Sequence, residues 1–197
     1  MMRKLFIAAI GIASVMSFTA ANAGPFGLEM GQSLTQIDKD AKQAAPNVYT
    51  TSKVPKPHSA FELYALKIGP KSGLCWVKAI GKDIGTSAYG IELKSEFNAM
   101  KGKLEKAYGK HETTDVLLPG SIWNEPDEFM MAMIKKQRFL MAIWDGEKGS
   151  TLSDNLDSVG LLANPGGRDK GYLSIEYSFS NKEACDKEIA ALEDGAL

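Results

Sequence analysis

Residues 61–80 read FELYALKIGPKSGLCWVKAI, in which two apolar runs flank a turn rich in glycine and proline. The first run, Phe61–Ile68, alternates like a strand, and the second, Leu74–Ile80, is rich in residues that favour strands. The intervening Gly69–Gly73 is a turn signal. This segment therefore predicts an antiparallel hairpin.

Helical patterns lie on both sides of this hairpin. Ser33 and Gln36 form a capping box ahead of apolar residues at helical spacing, and Pro46 ends that helix. A second helix begins at Ser95 and ends before Gly109, and Asn181 begins a third. The further predicted strands are Ala88–Leu93, Val116–Leu118, Asp157–Ala163 and Tyr172–Phe179.

An internal repeat is suggested by Phe26–Met30 (FGLEM), which recurs as Tyr89–Leu93 (YGIEL). The apolar positions of the helices that follow match at the same offset, and Phe61–Lys67 matches Phe129–Lys135. The alternative is chance similarity between two amphipathic helices. The match defines pseudo-repeats over residues 24–93 and 89–163, followed by a C-terminal strand and helix over residues 171–194.

Residues 128–144 fit two structures. Read as a helix, they place Phe129, Met130, Met133 and Ile134 on one face; read as a hairpin, they form strands over residues 129–134 and 139–144. The match with the strand at residues 61–67 favours the hairpin. The predicted fold is α+β: two helix-plus-antiparallel-sheet units in tandem with a C-terminal helix, in one globular domain over residues 24–197.

The N-terminal residues 1–23 are typical of a cleavable secretory signal. Arg3 and Lys4 precede an apolar run, and the small residues of Ala21-Asn22-Ala23 predict cleavage between Ala23 and Gly24. The absence of a Cys at the cleavage point predicts no lipid anchor, and no later segment is apolar enough to span a bilayer. We expect a periplasmic or secreted protein.

The charge balance bears on the class of partner. The chain has 23 Lys and Arg against 24 Asp and Glu, and the predicted signal removes only Arg3 and Lys4. The remaining charge is mildly negative and well mixed, whereas nucleic-acid binders normally present a basic face. We therefore expect no nucleic-acid partner.

Two cysteines, Cys75 and Cys185, are present in the chain. An isolated pair in an oxidising compartment predicts a disulfide, with two buried free thiols as the alternative. The pair is not a C-x-x-C motif, so a thioredoxin-like redox function has no support.

The entry into the first helix, Phe26 to Ser33 with Ile37 beyond it, resembles the corresponding segment of the SmpA/OmlA outer-membrane assembly lipoproteins. The tandem helix-plus-sheet plan is similar to the fold of the β-lactamase-inhibitor proteins. These resemblances imply an exported module that acts by contacting other proteins. The chain departs from SmpA/OmlA because it lacks the lipid-carrying cysteine.

Motifs for hydrolytic chemistry are incomplete. His111-Glu112 begins like a zinc-protease helix, but Asp115 stands where the second histidine is needed. The glycines of Gly85–Gly90 are spaced one residue too far apart for a nucleophile elbow. We expect no catalytic residue and no cofactor.

Two clusters admit a metal, each with an ordinary alternative. Asp145, Glu147, Asp154 and Asp157 share a loop but lack EF-hand spacing, so a solvated loop is favoured over calcium. Met130, Met131, Met133 and Met141 present thioether sulfur, a ligand for copper(I), but methionines beside aromatic residues are more often core. We therefore assign no metal site.

The predicted function is a non-enzymatic binding or protein-interaction module whose partner is another envelope protein. The alternatives are binding of a small ligand, either a lipid or a metal, and an enzyme with an unrecognised site. Under the first hypothesis, the sheet face away from the helices carries exposed aromatic residues, because clustered exposed apolar side chains mark interfaces.

Overall fold

A computed structural model describes residues 24–195, which form one antiparallel sheet with four α-helices. The predicted cleavage point borders this range, and residues 1–23 lie outside it. The strands are β1 (Lys42–Ala45), β2 (Val48–Thr51), β3 (Phe61–Gly69), β4 (Gly73–Gly81), β5 (Ile84–Gly85), β6 (Glu112–Leu117), β7 (Arg138–Asp145), β8 (Leu156–Pro165) and β9 (Lys170–Phe179). The helices are α1 (Leu34–Ile37), α2 (Ile91–Tyr108), α3 (Phe129–Ile134) and α4 (Lys182–Asp194).

The strand order is β1-β2-β3-β4-β9-β8-β7-β6, and the short β5 pairs with β9. The last strand along the chain therefore lies in the middle of the sheet, between β4 and β8, while β1 and β6 are the edges. The α+β class is confirmed, and the predicted C-terminal helix is present as α4. Within the described range no helix combines the length and the apolar character needed to cross a membrane.

The hairpin predicted from residues 61–80 is confirmed as β3 and β4. Leu66 pairs with Val77 and Tyr64 with Ala79, and all four side chains are buried. Their common face continues through β9, β8 and β7 at Ile175, Leu161 and Ala142. Antiparallel sheets alternate in this way because successive side chains point to opposite faces.

Helix α2 covers this core face. Its buried residues Leu93, Phe97, Met100 and Leu104 follow helical spacing, and the helix packs on β8 and β9. The short α3 packs beside it on β7 and β8. Burial of these two apolar faces against the sheet is the main source of stability of the fold.

Helix α4 lies on the opposite face, where it contacts β3 and β4. Lys67 follows the core residue Leu66 in β3, so its side chain points to the opposite face of the sheet. There its Nζ forms an ion pair with Asp186 of this helix at 2.9 Å. Cys185 and Cys75 lie at disulfide-bonding distance, with their Cα atoms 6.4 Å apart. The C-terminal helix is thus held against the first hairpin.

The first predicted helix is much shorter than expected. Only Leu34–Ile37 is helical, and Lys42–Ala45 forms β1. The Asp38 carboxylate accepts hydrogen bonds from Asp40 N and from the Thr51 hydroxyl, and residue 38 is extended. Aspartate side chains that bond nearby backbone compete with helix formation, and here they end the helix.

The strand predicted at Ala88–Leu93 is wrong, because α2 already begins at Ile91. Gly90 precedes it in the left-handed region, with φ of 68°. The matching segment Phe26–Met30 is not a strand either, since Pro25–Gly27 forms a 3-10 turn. The pseudo-repeat over residues 24–93 and 89–163 stays a prediction, but its two marker segments differ in local conformation.

The hairpin predicted for residues 128–144 is half correct. Residues 138–145 form β7, but residues 129–134 form α3 instead of a strand. Phe129, Met130, Ala132 and Met133 are all buried, so the segment shows no polar face from which its period can be read. The strand at residues 116–118 is confirmed in part, as the longer β6.

Candidate functional site

The half of the sheet face that α4 leaves uncovered carries exposed apolar side chains. Val116 of β6 lies directly opposite Phe139 of β7, and Ile143 lies farther along β7 on the same face. These three residues are 39%, 39% and 40% exposed. We call them the apolar patch. The expectation of several exposed aromatic residues on a face away from the helices is met only in part, because α4 occupies the other half of this face and Phe139 is the only aromatic residue of the patch.

The apolar patch adjoins an open sheet edge. Leu118 N donates to Gln137 O at 2.7 Å. In an antiparallel pair, only every second residue of a strand directs its N–H toward the partner strand, so this bond identifies which residues of β6 face β7. The N–H groups of Thr113, Asp115 and Leu117 therefore point away from β7. Strand β6 is an edge of the sheet and contains no proline or lysine, the residues that commonly blunt edges.

The charges near this edge are paired. Glu112 accepts from Lys148 at 3.1 Å, and Asp115 accepts from Arg138 at 2.9 Å. The hydrogen bond and the charge of Glu112 raise the pKa of Lys148. An incoming strand thus meets a nearly neutral edge beside an apolar surface.

A groove opens where β7 and β8 separate. The two strands pair from Asp145 and Ser158 to Met141 and Leu162. Beyond that pair, β7 continues with β6 and β8 continues with β9. The groove has a volume of about 580 Å³, and α3 contributes Met133 and Ile134 to its lining.

The lining of the groove is apolar with a cationic rim. Phe139, Met141, Leu162 and Tyr172 form its walls, and Lys136 and Arg138 lie among the lining residues, which include no carboxylate. Such clefts, mostly apolar with a few placed polar groups, are typical of ligand sites.

Two cations fix α3 beneath the groove. The Phe129 ring contacts two cations, the Lys94 Nζ at 3.7 Å from the ring centroid and the Arg138 guanidinium at 4.7 Å. Burial lowers the pKa of Lys94, and the neighbouring Arg138 charge lowers it further. These contacts position α3 at the point where β7 begins.

The structure does not bring the candidate hydrolytic residues together. The His111 ring lies against Trp144, with centroids 4.9 Å apart, and its buried Nδ1 has no hydrogen-bond partner. His58 lies beside Phe61 of β3, and strands β4, β9 and β8 separate β3 from β7. The Gly85–Gly90 segment leads into α2, where Glu92 accepts from the Thr86 hydroxyl at 2.8 Å.

The two candidate metal clusters are also divided. Met130 and Met133 are buried, and of these two only Met133 lines the groove, together with Met141. Asp145 caps the turn that follows β7 by accepting from Glu147 N. Across residues 24–195, no three His, Cys, Asp or Glu side chains are grouped as metal ligands.

The residues of the apolar patch were not identified as functional from the sequence. The available signal was the alternation of Phe139, Met141 and Ile143 within the strand predicted at residues 139–144. That pattern does not say which of its two faces is covered, because both faces carry apolar residues.

Comparison with protein-family models, with curated proteins and with solved structures gave no match.

Proposed function

We propose that the protein is an exported, non-enzymatic interaction module that binds an extended apolar segment of another envelope protein. The segment adds to β6 as a further strand and covers the apolar patch. The observation that carries this proposal is the coincidence of exposed Val116, Phe139 and Ile143 with an unblunted sheet edge.

Strand addition uses both features. Unpaired N–H and C=O groups on an edge supply main-chain hydrogen bonds, and adjacent apolar side chains supply buried area. The carboxylates at this edge, Glu112 and Asp115, already have cationic partners within the chain. The edge therefore favours an uncharged, apolar strand over a strongly charged one.

The compartment proposed is the periplasm or the cell exterior, after removal of residues 1–23. The Cys75–Cys185 disulfide supports it, since disulfides persist mainly in oxidising compartments. The same setting supplies the class of partner, a protein of the envelope.

The test uses Thr113→Pro, because the Thr113 N–H points away from β7 and its loss leaves the pairing with β7 intact. Protein captured from the envelope fraction is purified and mixed with the processed chain. We expect hydrogen exchange to slow at Thr113, Asp115 and Leu117. We also expect Thr113→Pro to weaken binding by about tenfold or more, whereas Thr113→Val retains it.

Three outcomes would contradict this function. The captured protein would protect the β1 edge instead of β6, or the chain would associate with a second copy of itself through β6 in gel filtration. The third is turnover of a substrate by protein that retains no partner. Ile143→Lys, which places a charge in the apolar patch on β7 opposite Glu112 of β6, provides a second variant whose binding we expect to be weakened.

A further inference from the structure

The groove between β7 and β8 is a second surface, which shares Phe139 with the apolar patch but does not include the β6 edge. We infer that it binds a single-chain amphiphile with an anionic headgroup, the alkyl chain lying in the groove and the headgroup at the Lys136 end. This inference goes beyond the interaction with a protein partner and does not depend on it.

The groove has the size and lining that an alkyl chain needs. Its volume of about 580 Å³ falls in the range of small-molecule sites, roughly 300–1,000 Å³. Met133, Ile134, Met141 and Leu162 line it, and methionine side chains adapt to flexible apolar ligands.

A shallower depression adjoins the groove on the open face. It has a volume of about 230 Å³, lies over Gly160 and shares Met141 and Leu162 with the groove. An added Cβ at Gly160 would contact only Leu162. Its lining also includes Ser158, Ser178 and Glu176, so the apolar surface that suits an alkyl chain is that of the groove itself.

Polar contacts within the chain join the end of β8 that borders the groove to β9. The Asn164 amide donates to Leu162 O at 3.2 Å and to the Ser174 hydroxyl at 3.0 Å. Leu162 lies opposite Ser174 of β9, so both contacts lie on the β9 side of β8.

Charge at the mouth selects an anion. Arg138 forms an ion pair with Asp115, but Lys136, which also lines the groove, makes no ion pair with any residue of the described range 24–195. Lys136 is fixed at φ of 56° in the turn that ends α3, where its N–H donates to Met133 O. Lys136 is therefore an exposed cation at one end of the groove, whereas Asp169 approaches the lining residue Gly167 in the turn between β8 and β9.

Two other cavities among the described residues lack this combination. The depression beside α1, of about 430 Å³, is lined mainly by polar and glycine residues of turns. The cavity beside β2 is lined by Asp38 and Asp40 together with Lys42 and Lys53, so its charges oppose each other.

The experiment is calorimetric titration of the processed protein with decanoate below its micelle concentration, with decan-1-ol and decyltrimethylammonium as matched ligands. We expect decanoate to bind and each matched ligand to bind at least about tenfold more weakly. The variant Lys136→Glu should lose about tenfold in decanoate affinity. The control Lys42→Glu carries the same charge change on the far edge of the sheet and should retain binding.

Equal binding of decan-1-ol would overturn the charge assignment, and unchanged affinity in Lys136→Glu would overturn the position of the headgroup. Flotation with phosphatidylglycerol vesicles without binding of monomeric decanoate would contradict a site for a single chain. Thr113→Pro should leave decanoate affinity unchanged, so failure of this site and failure of strand addition at β6 are distinguishable.

Discussion

At the scale of single residues, Gly90 determines where α2 begins. It holds φ of 68° immediately before Ile91, and a Cβ on it would overlap the Phe129 ring. That ring in turn contacts Lys94 and Arg138. A position that needs both a positive φ and close approach favours glycine for two independent reasons.

We therefore expect Gly90→Ala to lower the free energy of unfolding by about 2–4 kcal/mol, from backbone strain and displacement of Phe129. Gly102→Ala is the matched control on the same helix, since its added Cβ meets no atom within 4 Å. It should stabilise by about 0.5–1 kcal/mol. Urea unfolding measures both, and a loss in Gly90→Ala no larger than the change in Gly102→Ala would contradict this account.

At the scale of elements, α4 is attached to the sheet by more than its apolar face. Besides the bond from Cys185 to Cys75, the Glu188 carboxylate accepts from the N–H groups of Lys71 and Ser72. Burial raises the pKa of Asp186, but its hydrogen bonds from Lys182 and Lys67 outweigh that effect and lower it overall. These contacts fasten the helix to the first hairpin.

We predict that Cys75→Ala/Cys185→Ala lowers the free energy of unfolding by about 2–5 kcal/mol, because the bond closes a long loop in the unfolded chain. Chemical denaturation of the variant and of the wild type measures the loss. A reductant should lower the midpoint of the wild type alone. If the reductant shifted the variant equally, the loss would not be due to this disulfide.

At the scale of the whole molecule, a cluster of aromatic residues joins distant parts of the chain. Phe26 packs on Tyr64 of β3 and Tyr177 of β9, with ring centroids 4.9 and 5.7 Å apart, and Tyr108 of α2 packs on Tyr177 at 6.4 Å. Burial raises the pKa of Tyr177 well above its usual range, and the adjacent Tyr108 adds to this. Burial also raises the pKa values of Tyr108 and Tyr64.

Raised pKa values mean that these hydroxyls stabilise the fold fully below about pH 10, where unfolded tyrosine is also neutral. That contribution is lost as the pH rises through the folded values, because the unfolded chain ionises first. We expect the free energy of unfolding to fall above pH 10, and Tyr177→Phe to make the fall shallower. Denaturation at several alkaline pH values, followed by circular dichroism, measures this slope.

Tyr89→Phe removes a hydroxyl from an exposed ring and serves as the control for Tyr177→Phe. The same slope in both variants would show that the buried hydroxyl is not the source of the pH dependence.

Local patterns determined the hairpin of β3 and β4, the strands β8 and β9, helix α4 and the cysteine partners. The reason is that turn residues, alternation and caps act between residues close in sequence. The zinc and calcium motifs in the sequence are incomplete, and we assigned no metal site from them. Local patterns also indicated a binding module but did not locate its binding surface.

Only tertiary structure decided that residues 129–134 are helical, that α2 begins at Ile91, and which side of β7 remains uncovered. Each depends on contacts between distant residues: Gly90 against Phe129, α2 against β8 and β9, and β9 between β4 and β8. The groove arises in the same way, since β7 and β8 part where α3 packs beneath them. Short apolar segments such as residues 129–134 are compatible with either helix or strand, and the burial available in the assembled core selects between them.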